Sequence, residues 1–294
     1  LPVGLPAGRH GVIRNSAIFG FMIAVHYMTN AFDGPIYLLL VFSISYFVFR
    51  DLKQFGLFFI LTTGFFILFS LPFSFFFKPF ASGIGVNCAP AFLTKFQRVG
   101  PFLFEKGNCQ ISPFWMMFLL WGFFWISLAI LLWCIRSYRR QNKDRQPVQT
   151  DSFVTILLSF GFFLIWIPEF FYIKDIYPAH FRANTMFKLG YQTYIMSSVG
   201  VGYVLFRVAQ LRHTFTNTLI RITLSACLFL VFLYPFLMVA PYYGTFNKTP
   251  DLDGIKWLQK EHPASAEIVA YLNEHEPNQL NILEAQGDSY TDLN

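Results

Sequence analysis

Pro113-Phe-Trp-Met-Met-Phe-Leu-Leu-Trp-Gly-Phe-Phe-Trp-Ile-Ser-Leu-Ala-Ile-Leu-Leu-Trp-Cys-Ile135 runs without a charged residue and then meets Arg136-Ser-Tyr-Arg-Arg-Gln-Asn-Lys-Asp-Arg145. About 20 consecutive apolar residues are enough to cross a bilayer as a helix. A dense basic run at one end of such a stretch marks the cytoplasmic side. Further stretches of the same character are Ser16–Phe32, Pro35–Phe49, Phe55–Phe77, Phe153–Tyr172, Tyr191–Phe206 and Leu219–Pro241. With the first, they predict an all-α polytopic membrane protein of six to seven transmembrane helices. Composition agrees: 55% of residues are hydrophobic, 39 are Phe, and 13% are charged, against roughly 25% in a soluble domain.

The net charge of +6 is a topology signal, and it does not point to nucleic acid. With the first N-terminus placed in the cytoplasm and the spans alternating, 12 Lys and Arg fall inside and 7 in the outer loops. That assignment puts Thr29–Gly34, Lys78–Ser112, Lys174–Lys188 and the tail from Tyr242 on the extracytoplasmic side. These are the polar and aromatic segments, so the working face is expected outside. Lys78–Ser112 is long for a connection, and its Phe, Leu and Gly between charges predict one or two short helices in the interface plane. Cys88 and Cys109 share this loop and could bridge on an oxidising face. Cys134 and Cys227 read as small core hydrophobes.

The transmembrane domain is expected over residues 1–246, followed at 247–294 by the beginning of a soluble extracytoplasmic domain. Asp253–Lys260 and Ala264–Asn273 have helical patterning, with Pro263 suited to a first turn. Leu280-Asn-Ile-Leu-Glu284 reads as a strand before the turn Gln286-Gly-Asp-Ser289. This is the start of a small α/β unit. The chain does not begin with Met, Leu1-Pro-Val-Gly-Leu-Pro6 has no signal-peptide pattern, and the tail stops early. A fragment of a longer protein is therefore expected.

No nucleotide-binding glycine loop, zinc spacing or nucleophile elbow occurs. The chemistry concentrates instead between Glu169 and Gln192, where Glu169, Lys174, Asp175, His180, Arg182, Asn184, Lys188 and Gln192 lie between two apolar segments. A charge beside a bilayer is costly, so such a cluster lines an interface or a wet cavity. A helix beginning here would aim Arg182, Lys188 and backbone N–H groups at one point, which suits phosphate. Asp175 or Glu169 would act as a base or hold a divalent ion. The competing readings are a structural ion-pair network, such as Asp175 with Arg182 or Lys188, and a solvated loop. Thr29-Asn-Ala-Phe-Asp33-Gly-Pro-Ile-Tyr37 is a second polar node, where turn chemistry alone would account for Asp33. His26 reads as a hydrogen-bonded core residue.

Asn30-Ala-Phe-Asp33-Gly-Pro-Ile-Tyr37 resembles the Asn-x-Trp-Asp-x-Pro-x-Tyr motif of domain of unknown function 2298, the Chlor-Arch-YYY membrane proteins. Tyr172-Ile-Lys-Asp175, Arg182-Ala-Asn-Thr-Met-Phe-Lys188 and Tyr191-Gln192 are similar to that family's Asp…Arg-x-Asn-Thr-x-Phe-Lys…Tyr-Gln motif. Leu252-Asp-Gly254 and Leu283-Glu-Ala-Gln-Gly-Asp-Ser-Tyr-Thr291 match as well, while Phe32 stands in place of the usual Trp. The family resembles the GT-C glycosyltransferases, which take sugars from polyprenyl-phosphate donors on the outer face. In it an Asp-Leu-His motif precedes the segment matching Leu1, so a catalytic base is expected upstream. The resemblance implies Arg182 and Lys188 on the donor phosphate, Asn184 and Gln192 on sugar or phosphate oxygens, and Asp175 or Glu169 positioning a metal or acceptor, with Asp33 in support. Partners would be membrane lipid and the polyprenyl-phosphate sugar. A transporter or lipid flippase, with polar residues lining a path across the bilayer, and a non-catalytic membrane scaffold are the alternatives.

Overall fold

The computed structural model describes residues 9–49, 51–79, 81–141, 148–174, 180–243, 253 and 255–275. The chain divides into two compact units, Leu1–Val231 and Phe232–Asn294. In the first, helices α1 (Arg9–Thr29), α2 (Asp33–Val48), α3 (Leu52–Ser74), α5 (Phe114–Gln141), α6 (Gln149–Phe170) and α7 (Ala183–Ala209) are joined by the start of α8 (Phe215–Tyr243). These seven correspond one for one to the apolar stretches of the sequence. Helices α3, α5, α6 and α8 are each long and apolar enough to cross a membrane, and α2 is a shorter apolar helix. A helix that is apolar all round satisfies its backbone internally and needs no aqueous face, which is the condition for life in lipid.

Small residues set the closest helix crossings, as is usual where lipid removes the hydrophobic drive for association. A Cβ on Gly20 of α1 would sit 2.6 Å from Cβ of Phe65 and 2.9 Å from the backbone N of Phe66 in α3. Ser16 and Thr62 are fully buried in the same two helices. Helices α6 and α7 pack along their length, and α5 packs against both. Ile36 and Leu40 of α2 enter a cluster with Leu157, Phe160 and Leu164 of α6 and Leu189 and Met196 of α7. That packing carries the N-terminal end of α2 to the N-terminal half of α7, which places the second polar node beside the first.

The loop between α3 and α5 departs from expectation. In place of interface helices it forms β1 (Gly83–Val86), β2 (Arg98–Val99) and β3 (Phe102–Leu103), with the four-residue helix α4 (Ala91–Thr94) as its helical piece. The chain leaves α6 at Phe170 and continues as β4 (Phe171–Lys174), two residues short of the expected end of that span. Pro168 supplies no N–H to the last turn, and Phe171 is already extended at φ −137°, ψ 147°. The four strands form one sheet of order β2-β3-β1-β4. Strand β1 is parallel to β3 and antiparallel to β4, with Gly85 opposite Tyr172. A side chain at Gly85 would run into the Tyr172 ring at 2.1 Å, so glycine is what lets that ring lie across the strand.

Cys88 and Cys109 form a disulfide with Cα atoms 4.1 Å apart, well inside the limit of about 7 Å beyond which two cysteines cannot bridge. Cys134 is buried and Cys227 half-buried, both as free thiols. In the second unit α9 (Lys256–Glu261) and α10 (Pro263–His275) occupy the two helical segments expected of the tail, with Pro263 opening α10. The expected boundary at 246/247, the strand Leu280–Glu284 and Asp175 lie outside the described residues.

Candidate functional site

Three hydrogen-bonded groups meet where α2 begins, α6 ends and α7 begins. Arg182 is the N-cap residue of α7. Its Nη1 lies 2.9 Å from Oε2 of Glu169, and both side chains are buried. Its Nη2 donates to Ser112 Oγ at 3.1 Å, and the Ser112 backbone N–H donates to the same Glu169 oxygen at 2.7 Å. The planar guanidinium fork thus bridges a helix end and a loop, which a lysine could not do. Arg182 Nε is buried with no hydrogen-bond partner among the described residues.

Asn87 holds that loop in place. Its Nδ2 donates to the carbonyls of Glu169 at 2.9 Å and Gln110 at 2.6 Å, and its Oδ1 accepts from Gln110 N–H at 3.1 Å. The Cys88–Cys109 bridge ties the same two segments covalently. Nearby, Tyr172 is 1% exposed and donates from its hydroxyl to Glu105 Oε2 at 3.0 Å. Asn108 Nδ2 reaches both that carboxylate and the Tyr172 oxygen, and Lys174 pairs with Glu105. Burial, and the Glu105 carboxylate behind it, push the Tyr172 hydroxyl up to about 12.

The third group joins α2 to α7. Oδ1 of Asp33 accepts from Asn30 Nδ2 and from Gln192 Nε2, both at 3.0 Å. Tyr37 donates to Gln192 Oε1 at 2.7 Å, and the His26 ring stacks on Tyr37 at 4.4 Å. Among the described residues the His26 side chain is held by ring stacking, where a hydrogen bond was expected. Lys188 Nζ lies 3.5 Å from Asn30 Oδ1 and has no carboxylate within ion-pair distance among the described residues. Asn30 therefore stands between an ammonium and a carboxylate.

The Arg182-to-Gln192 segment does form a helix, but its side chains divide. Arg182 faces Glu169 and Ser112, Thr185 Oγ1 accepts from Ile173 N–H at 2.9 Å, and Lys188 and Gln192 turn toward α2. Asn184 is half-buried and makes no side-chain hydrogen bond among the described residues. Sequence reasoning named Glu169, Asp33, Arg182, Lys188 and Gln192, and the structure gathers all five into adjoining networks. It missed Asn87, Glu105 and Ser112, loop residues with no spacing signal. Asn30 and Tyr37 were legible as part of the Asp33 motif but carried no assigned role. Among the described residues no three His, Cys, Asp or Glu side chains come together as a metal site.

Among known proteins, the family model described as an uncharacterized membrane protein (DUF2298) matches residues 52–197, which span α3 to the middle of α7 and include Glu169, Arg182, Lys188 and Gln192. No curated protein and no solved structure matches the chain. The chain belongs to the DUF2298 family and is an integral, multi-pass membrane protein.

Proposed function

We propose that this protein is a membrane glycosyltransferase-like protein that uses a polyprenyl-phosphate-linked sugar as donor at the extracytoplasmic face. The observation that carries this reading is Lys188. Of the three cations near the site, Lys174 pairs with Glu105 and Arg182 with Glu169, while Lys188 is half-buried beside an amide. An ammonium with no carboxylate partner among the described residues, set among apolar helices, favours an anion. The N-terminus of α7 adds the positive end of a helix dipole, and its first turn holds no acidic residue. A lipid-linked phosphate supplies the anion, and the apolar helices accommodate its chain.

In this reading Lys188 takes the phosphate as a point charge. Arg182, oriented by Glu169 and Ser112, reinforces the field, and both stabilise charge that develops on the departing phosphate. Asn184 and Gln192 hold sugar or phosphate oxygens. Asp33 has hydrogen bonds on Oδ1 only among the described residues, which leaves its second oxygen to meet the acceptor. Asp175 remains a candidate base or metal ligand from sequence.

The test is binding of a labelled polyprenyl-phosphate sugar to the full-length protein in nanodiscs. Loss of a charged hydrogen bond predicts that Lys188→Ala weakens binding about tenfold or more. Arg182→Lys is expected to lose most of it. Unchanged binding in both variants returns these residues to a structural role. For sidedness, an impermeant thiol reagent should label Lys106→Cys in intact cells and spare Arg140→Cys; the reverse pattern inverts the topology.

A further inference from the structure

We infer that the groove between α5 and α8 binds one chain of an anionic glycerophospholipid, with Arg136 and Arg140 holding its phosphate. The groove lies within the first unit and away from the polar networks described above. Its volume is about 360 Å³, and it is lined by Ile126, Ala129 and Trp133 of α5 and Thr216, Leu219 and Thr223 of α8. That volume falls at the lower end of the range for small-molecule sites. Helix α8 closes the groove at depth through Leu224, which is buried against Leu131 and Cys134 of α5 and Val204 of α7. The groove is open on its outer side and not an enclosed cavity.

Length and charge select the occupant. Ile126 to Trp133 is seven residues, or about 10 Å of helix at 1.5 Å per residue. One leaflet of the hydrocarbon core is about 15 Å deep. The groove therefore suits a chain from one leaflet and is too short for a lipid tail that crosses both. Its α5 wall continues from Trp133 by steps of three and four to Arg136 and Arg140. Both arginines are exposed and neither has an ion-pair partner among the described residues. An apolar slot that ends under two guanidinium groups with no ion-pair partner among the described residues matches a lipid with an apolar tail and an anionic head, and basic residues at a membrane surface attract such lipids. Trp133 sits at the junction, where an indole is at home between tail and headgroup.

The test is native mass spectrometry of the full-length protein released from nanodiscs that contain phosphatidylcholine and phosphatidylglycerol in equal amounts. Preferential retention of phosphatidylglycerol is expected. Replacing Arg136→Gln and Arg140→Gln should lower that preference by about fivefold per arginine, while Arg136→Lys with Arg140→Lys should keep most of it. Ala129→Phe fills the slot and should remove the retained lipid whatever its headgroup. Leu119→Phe, an exposed position of α5 outside the groove, should not. Equal retention of the two lipids, or phosphatidylglycerol retention that survives both the double Gln variant and Ala129→Phe in correctly folded protein, would overturn the assignment. Loss in the double Gln variant with full retention in Ala129→Phe would also overturn it, since the headgroup would then be bound without the slot.

Discussion

Helices α6 and α7 are clamped at both ends by a buried carboxylate and an arginine, yet the two clamps run opposite to one another. At one end Asp151 lies in the first turn of α6 and Arg207 in the last turn of α7. Each charge there complements its helix dipole. Arg207 approaches both carboxylate oxygens, with Nη2 donating to Oδ2 at 2.9 Å and Nε 2.9 Å from Oδ1 as an ion-pair contact without a hydrogen bond; Tyr203 donates to Oδ1 at 2.7 Å. At the other end Glu169 sits in the last turn of α6 and Arg182 caps the start of α7. Both charges oppose their dipoles. This second clamp holds a single ion-pair contact and depends on Ser112, 57 and 70 residues away in sequence. A pair that only fastened helices would be arranged like Asp151 and Arg207. Reversed polarity sets Arg182 at the positive end of the α7 dipole, with Lys188 less than two turns further on, and the proposed anion site rests on that arrangement.

The largest effect is expected at the well-arranged clamp. Asp151→Ala leaves the half-buried Arg207 without its carboxylate, which costs about 3 kcal/mol. Unfolding in a graded detergent series should show that loss, with donor affinity unchanged in the fraction that stays folded. A donor-affinity loss as large as that of Lys188→Ala would erase the functional distinction between the two ends.

The disulfide tests the opposite end. Cys88→Ser with Cys109→Ser releases a loop of about 20 residues, for which chain entropy predicts about 3 kcal/mol. The loss should be local, because the bridge fastens the segment that brings Ser112 to Glu169. Amide exchange should accelerate at Ser112, whose N–H donates to the Glu169 carboxylate, and remain slow at Val154 near Asp151. Equal acceleration at the two ends would mean that the clamps are not independent.

The two ends were also unequally legible in sequence. The seven helices could be read because each is a long apolar run, and length alone separates such a run from a buried strand. The sheet could not: β2 and β3 have two residues each, too few for any period to show. The membership of the Glu169–Gln192 cluster was legible because charge among apolar spans stands out, and the pairing within it was not. Lys174 lies beside Asp175 and near Glu169 in sequence, but its partner is Glu105, 69 residues earlier. That partner is chosen by the pairing of β1 with β4, a long-range contact that no local pattern announces. The Asp151–Arg207 clamp went unread for the same reason, since its residues are 56 positions apart.

Exchanging the charges gives a direct comparison of smaller size. Glu169→Arg with Arg182→Glu would set both groups in line with their dipoles, each worth about 0.3–1 kcal/mol. The fold should survive with stability near that of the parent, as read by detergent unfolding, and donor binding should be lost. The same exchange at Asp151 and Arg207 turns two favourable terms unfavourable and should destabilise. If donor binding persists in the Glu169/Arg182 exchange, positive charge at the start of α7 is not what the donor meets.

The smallest effect concerns the sheet beside the reversed clamp, where a pH titration separates its polar group from both ion pairs. The Tyr172 hydroxyl is pushed up to about 12 by burial and by the Glu105 carboxylate that accepts its proton. An unfolded tyrosine ionises near 10. A raised folded pKa means that the neutral form is the one stabilised. The contribution is therefore complete below about pH 10 and fades as pH climbs through about 12. The absorbance of tyrosinate in the parent minus that in Tyr172→Phe should stay near zero at pH 10 and appear only above about 11. Tyr172→Phe itself removes one donor from Glu105, which keeps Asn108 and Lys174, so about 1 kcal/mol is expected. Because Lys174 leads directly from this carboxylate toward the segment before Arg182, ionising Tyr172 puts a second negative charge beside Glu105 without touching Asp151. Alkaline loss of stability that depends on Tyr172 should then loosen the Ser112 end first, and simultaneous loosening at Asp151 would show that the sheet fastens the helix pair as a whole.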